Sequence, residues 1–345
     1  MEGERSALET LMARAVRENW PLSVLLELTY RCNLRCVYCY NDRQRIREHL
    51  PTAVWLDVLE QIAGMGVLHL ALSGGEPLMH PGFFTILSEA RRLGFATRVK
   101  TSGDLLTRDV ARRIAREGDP FLMELSLHGA DAATHDRQTR VPGSFARLVE
   151  NARAASEEGL RLRFVVTLTR WNEDQLDAME SLARDVGIGI RFSTEVTPRD
   201  DGDRAPLALT VTTEGYRRYR RWVAERRDGA GDGLDPSEPG AVDRVCGAAA
   251  TGFAIDPVGN VLPCIQWRQP AGNVREKPLE RIWTDSPVLR RARKAIREAA
   301  DRIGPGEVAC RFCPAMAWLL EGDPVAEYRP EIHPLGGLDP LAGER

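Results

Sequence analysis

The chain has 345 residues, of which 43% are hydrophobic and 28% are charged, a balance that excludes wholesale disorder and allows a large core. The net charge of -3 gives no electrostatic argument for a nucleic acid or an anionic membrane as a partner. We find no run of about 18 apolar residues and no apolar stretch of signal-peptide type, so we expect a cytoplasmic protein without a transmembrane helix.

The first 200 residues alternate between segments with strand and helix periodicity. The predicted strands are Val24–Thr29, Leu68–Leu72, Thr97–Lys100, Phe121–Leu127, Arg161–Thr169 and Ile188–Glu195. The predicted helices are Thr52–Met65, Pro81–Leu93, Thr107–Glu117, Ser144–Glu158 and Glu173–Val186. We expect Pro81 in the first turn of its helix and Ser144 at an N-cap. Six such units are fewer than the eight of a closed barrel, so the pattern predicts an α/β fold with a partial, TIM-like (β/α)6 barrel.

The pattern changes after the sixth predicted strand. A basic helix is predicted over Thr213–Arg227, followed by a Gly-, Asp- and Pro-rich linker over Asp228–Pro239. Gly252–Asp256 and Asn260–Pro263 flank a turn and predict a β-hairpin, and an amphipathic helix is expected over Pro287–Asp301. The predicted organisation is an N-terminal helical extension (1–20), the partial barrel (21–200), the basic helix and linker (201–240) and a small α+β domain (241–345).

Three cysteines directly follow the first predicted strand. Cys32, Cys36 and Cys39 form a Cys-X3-Cys-X2-Cys motif, and thiolates so close in sequence can converge on one metal centre. Zinc and an iron–sulfur cluster are both candidates, but structural zinc normally has four closed ligands and no fourth Cys or His lies nearby in sequence. Three ligands to a four-iron cluster leave one iron open for a substrate or cofactor. Tyr38, which precedes the last cysteine, could shield such a cluster.

The Cys32–Cys39 segment resembles the signature of radical S-adenosylmethionine (SAM) enzymes, and the resemblance extends over residues 24–195. In that family the three cysteines hold a [4Fe-4S] cluster whose unique iron chelates the amino and carboxylate groups of SAM. The resemblance implies that one-electron reduction cleaves SAM to methionine and a 5'-deoxyadenosyl radical, which abstracts a substrate hydrogen. It also implies an electron donor such as flavodoxin or ferredoxin.

The resemblance further implies SAM contacts at the ends of the second and third strands. Gly74, Gly75, Glu76 and Pro77 resemble the family's GGEP motif, which contacts the SAM amino group. Glycines allow close approach of the backbone, and the Glu76 carboxylate can bind an ammonium group. Ser102 lies in a segment that resembles the family's Thr-Asn-Gly turn, with Ser in place of Asn.

Further contacts are implied at the fourth and fifth strands. Ser126 matches a family serine near the SAM ribose or carboxylate, and the backbone around Val166 would lie under the adenine. Arg140 lies in a segment that resembles the family's HDxxRG-x-x-GSF, read with one extra residue and Val in place of the first Gly. A guanidinium suits the SAM carboxylate, and Arg137 is the rival for this role. Glu195 would face the substrate side.

Four further cysteines lie outside the predicted barrel. The spacing of Cys246, Gly259 and Cys264 resembles the opening of the SPASM and twitch extensions of radical SAM enzymes, which bind auxiliary iron–sulfur clusters. Cys310 and Cys313 continue the pattern, but the later cysteines of a full SPASM domain are missing. The resemblance therefore implies one auxiliary [4Fe-4S] cluster in a truncated SPASM or twitch-like domain. Structural zinc is the alternative, because Cys310 and Cys313 have zinc-knuckle spacing.

Three functions remain open at this point. The first is maturation of a ribosomal peptide or another natural product, and the second is oxidation, decarboxylation or deoxygenation of a small molecule such as a sugar. The third is a zinc-stabilised protein without catalysis. The stretch before the first strand is too short for a peptide-binding domain, so a separate carrier protein could supply one. The basic helix, Arg217–Arg227, is either a solvated face or a contact for an acidic leader peptide.

Overall fold

The computed structural model describes residues 7–41, 48–227, 246–303 and 313–326. Six strands alternate with helices in the N-terminal part. The helices are α1 (Ala7–Glu18), α2 (Thr52–Gly64), α3 (Phe83–Arg92), α4 (Arg108–Glu117), α5 (Ala132–Thr139), α6 (Ser144–Glu157) and α7 (Leu176–Val186). The strands are β1 (Ser23–Thr29), β2 (His69–Gly74), β3 (Ala96–Thr101), β4 (Leu122–Ser126), β5 (Leu162–Thr167) and β6 (Gly189–Ser193).

The six strands form one sheet in the order β6-β5-β4-β3-β2-β1, with every neighbouring pair parallel. Their carboxyl ends therefore meet at one edge, which is where parallel α/β barrels place their chemistry. The sheet stays open because β1 pairs with a C-terminal strand instead of closing on β6. The predicted partial (β/α)6 barrel is confirmed.

The C-terminal strands extend the barrel sheet beyond β1. The further elements are α8 (Thr213–Arg227), β7 (Gly252–Ile255), β8 (Asn260–Leu262), β9 (Gly272–Asn273), α9 (Leu279–Asp285), α10 (Pro287–Ile303) and α11 (Pro314–Glu321). β7 pairs with β1 in parallel, with Ser23 opposite Gly252 and Leu26 opposite Ile255. β7 and β8 form the predicted antiparallel hairpin. The hairpin therefore continues the barrel sheet, which hydrophobic periodicity within each segment does not reveal.

Helix α2 shows how the core forms. Its buried residues recur at helical spacing, so that one stripe faces the sheet: Trp55, Val58, Leu59 and Ile62. They share one hydrophobic cluster with Leu26 of β1. Full burial of each such side chain contributes roughly 1.5–3 kcal/mol, so this stripe is a main reason why α2 stays on the sheet.

Two helix starts differ from the prediction. Helix α3 begins at Phe83 after Gly82, so Pro81 precedes the helix and does not lie in its first turn. Helix α6 begins at Ser144, but its N-cap residue is Gly143 with a φ of 78°. Short, polar α5 was not predicted because it has little apolar periodicity. The predicted linker over 228–239 lies outside the described residues.

Candidate active site

The loop that follows β1 carries Cys32, Cys36 and Cys39, all of them partly exposed. The Cys39 N–H donates to the Cys36 carbonyl at 3.2 Å, and the Cys32 sulfur accepts from the Leu34 N–H at 3.4 Å. Hydrogen bonds to sulfur help to tune iron–sulfur clusters. Among the described residues, no three His, Cys, Asp or Glu side chains are grouped as they would be around a single metal ion. Three thiols in one loop fit a cluster that keeps one iron for another ligand.

Helix α5 supports this loop from the barrel side. The Arg35 N–H donates to the Thr139 carbonyl at 3.0 Å, and the Val37 N–H donates to the Gln138 carbonyl at 2.9 Å. Gln138 is fully buried, and its side-chain amide donates to the backbone carbonyl of His128. The cysteine loop therefore depends for its position on a helix that periodicity alone did not indicate.

Tyr38 and His128 form a hydrogen-bonded pair beside the cysteines. The Tyr38 hydroxyl lies 2.6 Å from His128 Nδ1, and the two rings meet edge-on with centroids 5.4 Å apart. Burial holds the pKa of His128 well below its usual range, so the imidazole is neutral. Burial, followed by the charges of the Cys36 and Cys39 thiolates, raises the pKa of Tyr38. A neutral phenol and a neutral imidazole therefore share this hydrogen bond, which fixes the ring of Tyr38 next to the thiols.

The glycines at the end of β2 press against the start of the cysteine loop. The Gly75 N–H donates to the Thr29 carbonyl at 2.6 Å. Gly74 has a φ of 133°, which disfavours any residue with a side chain. A Cβ on Gly75 would overlap the carbonyl oxygen of Arg31 and lie 2.6 Å from that of Tyr30. The turn and the loop can approach this closely only because both positions are glycine.

Glu76 is fully buried, and four donors surround its carboxylate. Oε1 accepts from the Thr101 hydroxyl at 2.7 Å and from the Leu78 N–H at 3.2 Å. Oε2 accepts from the N–H and the hydroxyl of Ser102, both at 2.8 Å. The short 3₁₀ turn Pro77–Met79 follows directly. These four hydrogen bonds tie the turn to β3, and the contact of Glu76 with the SAM ammonium group stays a prediction.

Replacing Glu76 with glutamine is therefore expected to destabilise the fold. Either orientation of the new amide points its NH2 group at a backbone N–H, that of Ser102 or that of Leu78. An unsatisfied buried donor costs about 1–3 kcal/mol. Urea unfolding of the apoprotein measures this loss, with Glu60→Gln as the control because its side chain is 55% exposed. Equal stability of the two variants would contradict this account of Glu76.

The other predicted SAM contacts occupy different environments. Ser102 is held by Glu76, and Ser126 ends β4 with its side chain partly exposed at the same edge of the sheet. The side chain of Val166 is buried in the hydrophobic core, so only its backbone can face a bound base. A contact through the backbone is the form in which this residue was predicted.

The backbone at Arg140 changes how the segment is matched to its family. Arg140 has a φ of 56°, in the left-handed region that favours glycine, and it is exposed. His135 to Phe145 spans as many residues as the family's HDxxRG-x-x-GSF, so no extra residue is needed. Arg140 then occupies the glycine position and Thr139 the arginine position. The rival, Arg137, stacks on Trp171 with 3.8 Å between its Cζ and the ring centroid.

Asp136 closes the amino end of helix α6. Its carboxylate accepts from the Gly143 N–H at 2.6 Å, the Phe145 N–H at 2.8 Å and the Ser144 hydroxyl at 2.9 Å. Burial alone would raise the pKa of Asp136, but these hydrogen bonds hold it below its usual value. The cap expected from Ser144 is therefore supplied by Asp136.

Asp136→Ala is expected to cost about 1–2 kcal/mol of unfolding free energy at pH 7, as loss of a helix cap does. A lowered folded-state pKa means that this contribution is complete above the unfolded value of about 3.9 and is lost as the pH falls through the folded value. Urea unfolding at pH 7 and at progressively lower pH should show the wild type and the variant converging. Asp109→Ala is the control, since its side chain is 92% exposed. A difference that is independent of pH would contradict the cap.

Three of the four C-terminal cysteines lie in the described residues, and they influence one another electrostatically. Cys246 precedes β7, Cys264 follows β8, and Cys313 directly precedes α11, while Cys310 lies outside the described residues. Burial raises the pKa of Cys264 to about 12, and the nearby Cys246 adds to this shift. Burial and the nearby Cys264 raise the pKa of Cys313 as well. The Cys246 sulfur accepts from the Ala248 N–H at 3.4 Å. These thiols come from three separate elements and interact electrostatically, although in the described residues they are not grouped as around a single metal ion.

Glu195, just beyond β6, lies near this second cysteine group. Loss of water around the carboxyl group raises the pKa of Glu195, and a hydrogen bond with the Gln266 side chain opposes this shift. The residue as a whole is nevertheless exposed. Its charge also acts on the thiols of Cys264 and Cys313. Sequence reasoning placed Glu195 on the substrate side, and the structure adds that it borders the auxiliary cysteines.

Comparison with known proteins follows the same division of the chain. Residues 26–183 match the radical SAM superfamily, and residues 246–314 match the SPASM iron–sulfur cluster-binding domain. The PqqA peptide cyclase of Streptomyces rochei is 32% identical over 93% of this chain and 90% of its own length. The chain belongs to the radical SAM superfamily. It is a radical SAM enzyme with a C-terminal SPASM domain, and it is related to peptide-modifying maturases.

Other radical SAM proteins resemble the chain over most of its length. The AdoMet-dependent heme synthase of Methanosarcina barkeri is 27% identical over 90% of this chain and 98% of its own length. Streptococcus suis SuiB bound to its precursor peptide SuiA has the same fold, with a TM-score of 0.66 and 21% identity over 85% of this chain and 74% of SuiB. No helix in the described ranges is long and apolar enough to cross a membrane. The family, the fold and the SPASM extension predicted from the sequence are confirmed.

Proposed function

We propose that this radical SAM enzyme matures a ribosomally made peptide. The observation that carries the proposal is the 32% identity with a PqqA peptide cyclase over 93% of this chain, which includes both cysteine groups. A peptide can enter from solvent at the open edge of the barrel, where the cysteine loop and the GGEP turn lie side by side. The peptide itself, and a separate carrier protein that delivers it, belong to the proposal.

We assign the SAM-binding cluster to Cys32, Cys36 and Cys39. When bound, the cluster would supply the electron for cleavage of SAM, and the resulting radical would remove a substrate hydrogen. The protein's part is to hold the ligand loop through α5 and to orient Tyr38 through His128. Flavodoxin or ferredoxin is the proposed electron donor.

SAM itself would lie along the carboxyl edge of the sheet. The Glu76 carboxylate and the backbone carbonyl groups of the Gly74–Glu76 turn are the proposed partners of the SAM ammonium group. Ser102 and Ser126 line the same edge. Arg140 remains the proposed partner of the SAM carboxylate, because it is exposed and directly follows Thr139, whose carbonyl accepts from the Arg35 N–H of the cysteine loop.

One auxiliary [4Fe-4S] cluster is proposed for the SPASM domain. Cys246, Cys264 and Cys313 influence one another electrostatically, and Cys310 would complete a set of four thiolates. Four ligands close one cluster, so substrate binding to its iron is not expected. Electron transfer to or from the substrate is the proposed use. Glu195 would then be an exposed carboxylate on the substrate side, near that cluster.

A carboxylate-bearing small molecule is the second candidate substrate. The barrel interior holds three cations around one buried carboxylate: the Lys100 Nζ lies 2.6 Å from Glu124, and Arg98 and Arg163 each lie 3.6 Å from it. Guanidinium and ammonium groups placed in this way are the kind that bind a substrate carboxylate. The similarity to an AdoMet-dependent heme synthase is compatible with such a substrate.

Substrate-dependent SAM cleavage tests the proposal. The full chain, reconstituted anaerobically and reduced, is given SAM together with either short peptides encoded beside its gene or small carboxylic acids. Chromatography follows 5'-deoxyadenosine, and mass spectrometry follows the substrate. We expect a peptide to be modified and to accelerate SAM cleavage. Modification of an acid alone would favour the second candidate, and wild-type protein that never cleaves SAM would contradict both.

A further inference from the structure

A buried ion pair joins the SPASM domain to the first barrel strand. Glu27 of β1 has no exposed side-chain surface, and the side chain of Arg268 is 13% exposed. Arg268 Nη1 donates to Glu27 Oε2 at 2.6 Å, and Nη2 donates to Oε1 at 3.1 Å. This two-point contact fixes the guanidinium and the carboxylate in one plane, which a lysine could not do.

Two tyrosines complete the shell around Glu27. The Tyr30 hydroxyl donates to Oε2 at 2.8 Å, and the Tyr40 hydroxyl donates to Oε1 at 2.6 Å. Arg268 Nη1 also donates to the Tyr30 hydroxyl oxygen at 2.7 Å. Tyr30 lies two residues before Cys32, and Tyr40 directly follows Cys39. A single carboxylate therefore holds both ends of the cysteine loop.

Asp200 adds a third attachment. Arg268 Nε donates to Asp200 Oδ1 at 3.0 Å, and the Asp200 N–H donates to the Tyr40 carbonyl at 2.8 Å. Arg268 is itself close to the other cysteine group, because it lies four residues after Cys264 in a turn where the Trp267 N–H donates to the Cys264 carbonyl at 3.2 Å. One guanidinium thus links the segment that follows β6, both ends of the cysteine loop and the turn that carries Cys264.

Stability alone does not account for this arrangement. A buried ion pair often adds little net stability compared with apolar residues of similar size, because removing two charges from water offsets their attraction. What the pair does supply is direction, since each of its bonds has a defined donor and acceptor. The defined geometry of its bonds is therefore the property of this pair that apolar residues of similar size would not supply.

We propose that Arg268 is a positioning residue, supplied by the SPASM domain, that acts through Glu27 to hold the cysteine loop and so sets the placement of the SAM-binding cluster relative to the auxiliary cluster. The inference rests on the proposed function for its two clusters. The effect on the cysteine loop does not depend on the clusters. Without Arg268, the Glu27 carboxylate that anchors residues 30–40 loses its buried partner.

The test compares Arg268→Met with Arg268→Lys and with the double variant Glu27→Leu/Arg268→Met. The double variant removes both charges of the buried Glu27–Arg268 pair, and the remaining partner, Asp200, has a side chain that is 18% exposed, so this variant should fold even where the single variant does not. Arg226→Met is the matched control, because Arg226 forms an exposed ion pair with Asp177 and Glu180 on the barrel surface. Hydrogen exchange of residues 30–40 is measured in the apoprotein, and the electron paramagnetic resonance of each reduced cluster in the reconstituted protein.

We expect exchange of residues 30–40 in the double variant to be faster by about tenfold or more, with exchange in β4 and β5 unchanged. The signal of the SAM-binding cluster should broaden and its response to SAM weaken, while the auxiliary signal stays as in the wild type. Exchange rates and spectra of Arg268→Lys should lie between those of the wild type and those of the double variant.

Exchange and spectra equal to those of Arg226→Met would overturn the proposal. Loss of the auxiliary-cluster signal together with the signal of the SAM-binding cluster would also overturn it. Arg268 would then be needed only for folding of the β7–β8 hairpin and its following turn. The exchange measurement needs no cluster, so wild-type protein that held no iron would refute the proposed function and leave this result readable.

Discussion

Gly75→Ala is expected to lower the rate of SAM cleavage by at least about a hundredfold. A Cβ at this position would overlap the Arg31 carbonyl oxygen and lie 2.6 Å from that of Tyr30. Both are backbone atoms, so no side chain can rotate away. Either the turn or the cysteine loop must move, and a displacement of about 1 Å at a reacting site costs about a hundredfold in rate.

The measurement is 5'-deoxyadenosine formation by reconstituted protein under a chemical reductant. Gly64→Ala is the matched control, because a Cβ there meets nothing within 4 Å. Iron content should be reported for both variants, since a displaced loop also weakens cluster binding. A Gly75→Ala enzyme as active as Gly64→Ala would mean that the turn and the loop can separate without consequence for SAM.

Cys264→Ala is expected to separate SAM cleavage from substrate modification. The wild type should hold about eight iron atoms per chain and this variant about four, because one of two four-iron clusters is lost. The variant should still cleave SAM, since Cys32, Cys36 and Cys39 are intact. It should not release modified substrate, because the proposed electron path through the auxiliary cluster is broken.

Cys36→Ala is the complementary variant, and it should keep about four iron atoms and lose all SAM cleavage. Iron and acid-labile sulfide are measured together with zinc. A wild type with about four iron atoms and one zinc would contradict the auxiliary cluster, and the C-terminal cysteines would then form a structural zinc site. Redox-neutral hydrogen abstraction would become the better description of the reaction.

The barrel could be predicted because its signals are local. Each strand is a short apolar or alternating run, each motif directly follows a strand, and the Cys32–Cys39 spacing is specific. The α8 helix and the β7–β8 hairpin were predicted for the same reason. Such features need only the residues of one segment and its immediate neighbours.

What escaped prediction depends on residues far apart in the chain. The Glu27–Arg268 pair joins positions separated by 241 residues, and nothing in either segment indicates the other. The hydrogen bonds from Thr101 and Ser102 to Glu76 were not predicted either, because they join segments at the ends of two different strands. Arg140 has a left-handed φ that favours glycine, and the identity of the residue does not indicate this torsion angle.

The pairing of β7 with β1 also determines what removal of the C-terminal domain would expose. A chain that ended before β7 would leave one side of β1, from Ser23 to Leu26, without backbone partners. Unpaired strand edges are templates for association with other chains, and natural proteins cover or charge them. The hairpin therefore protects the barrel from aggregation as well as carrying cysteines. A shortened form of the chain would need a new cover for β1 to avoid association through this strand.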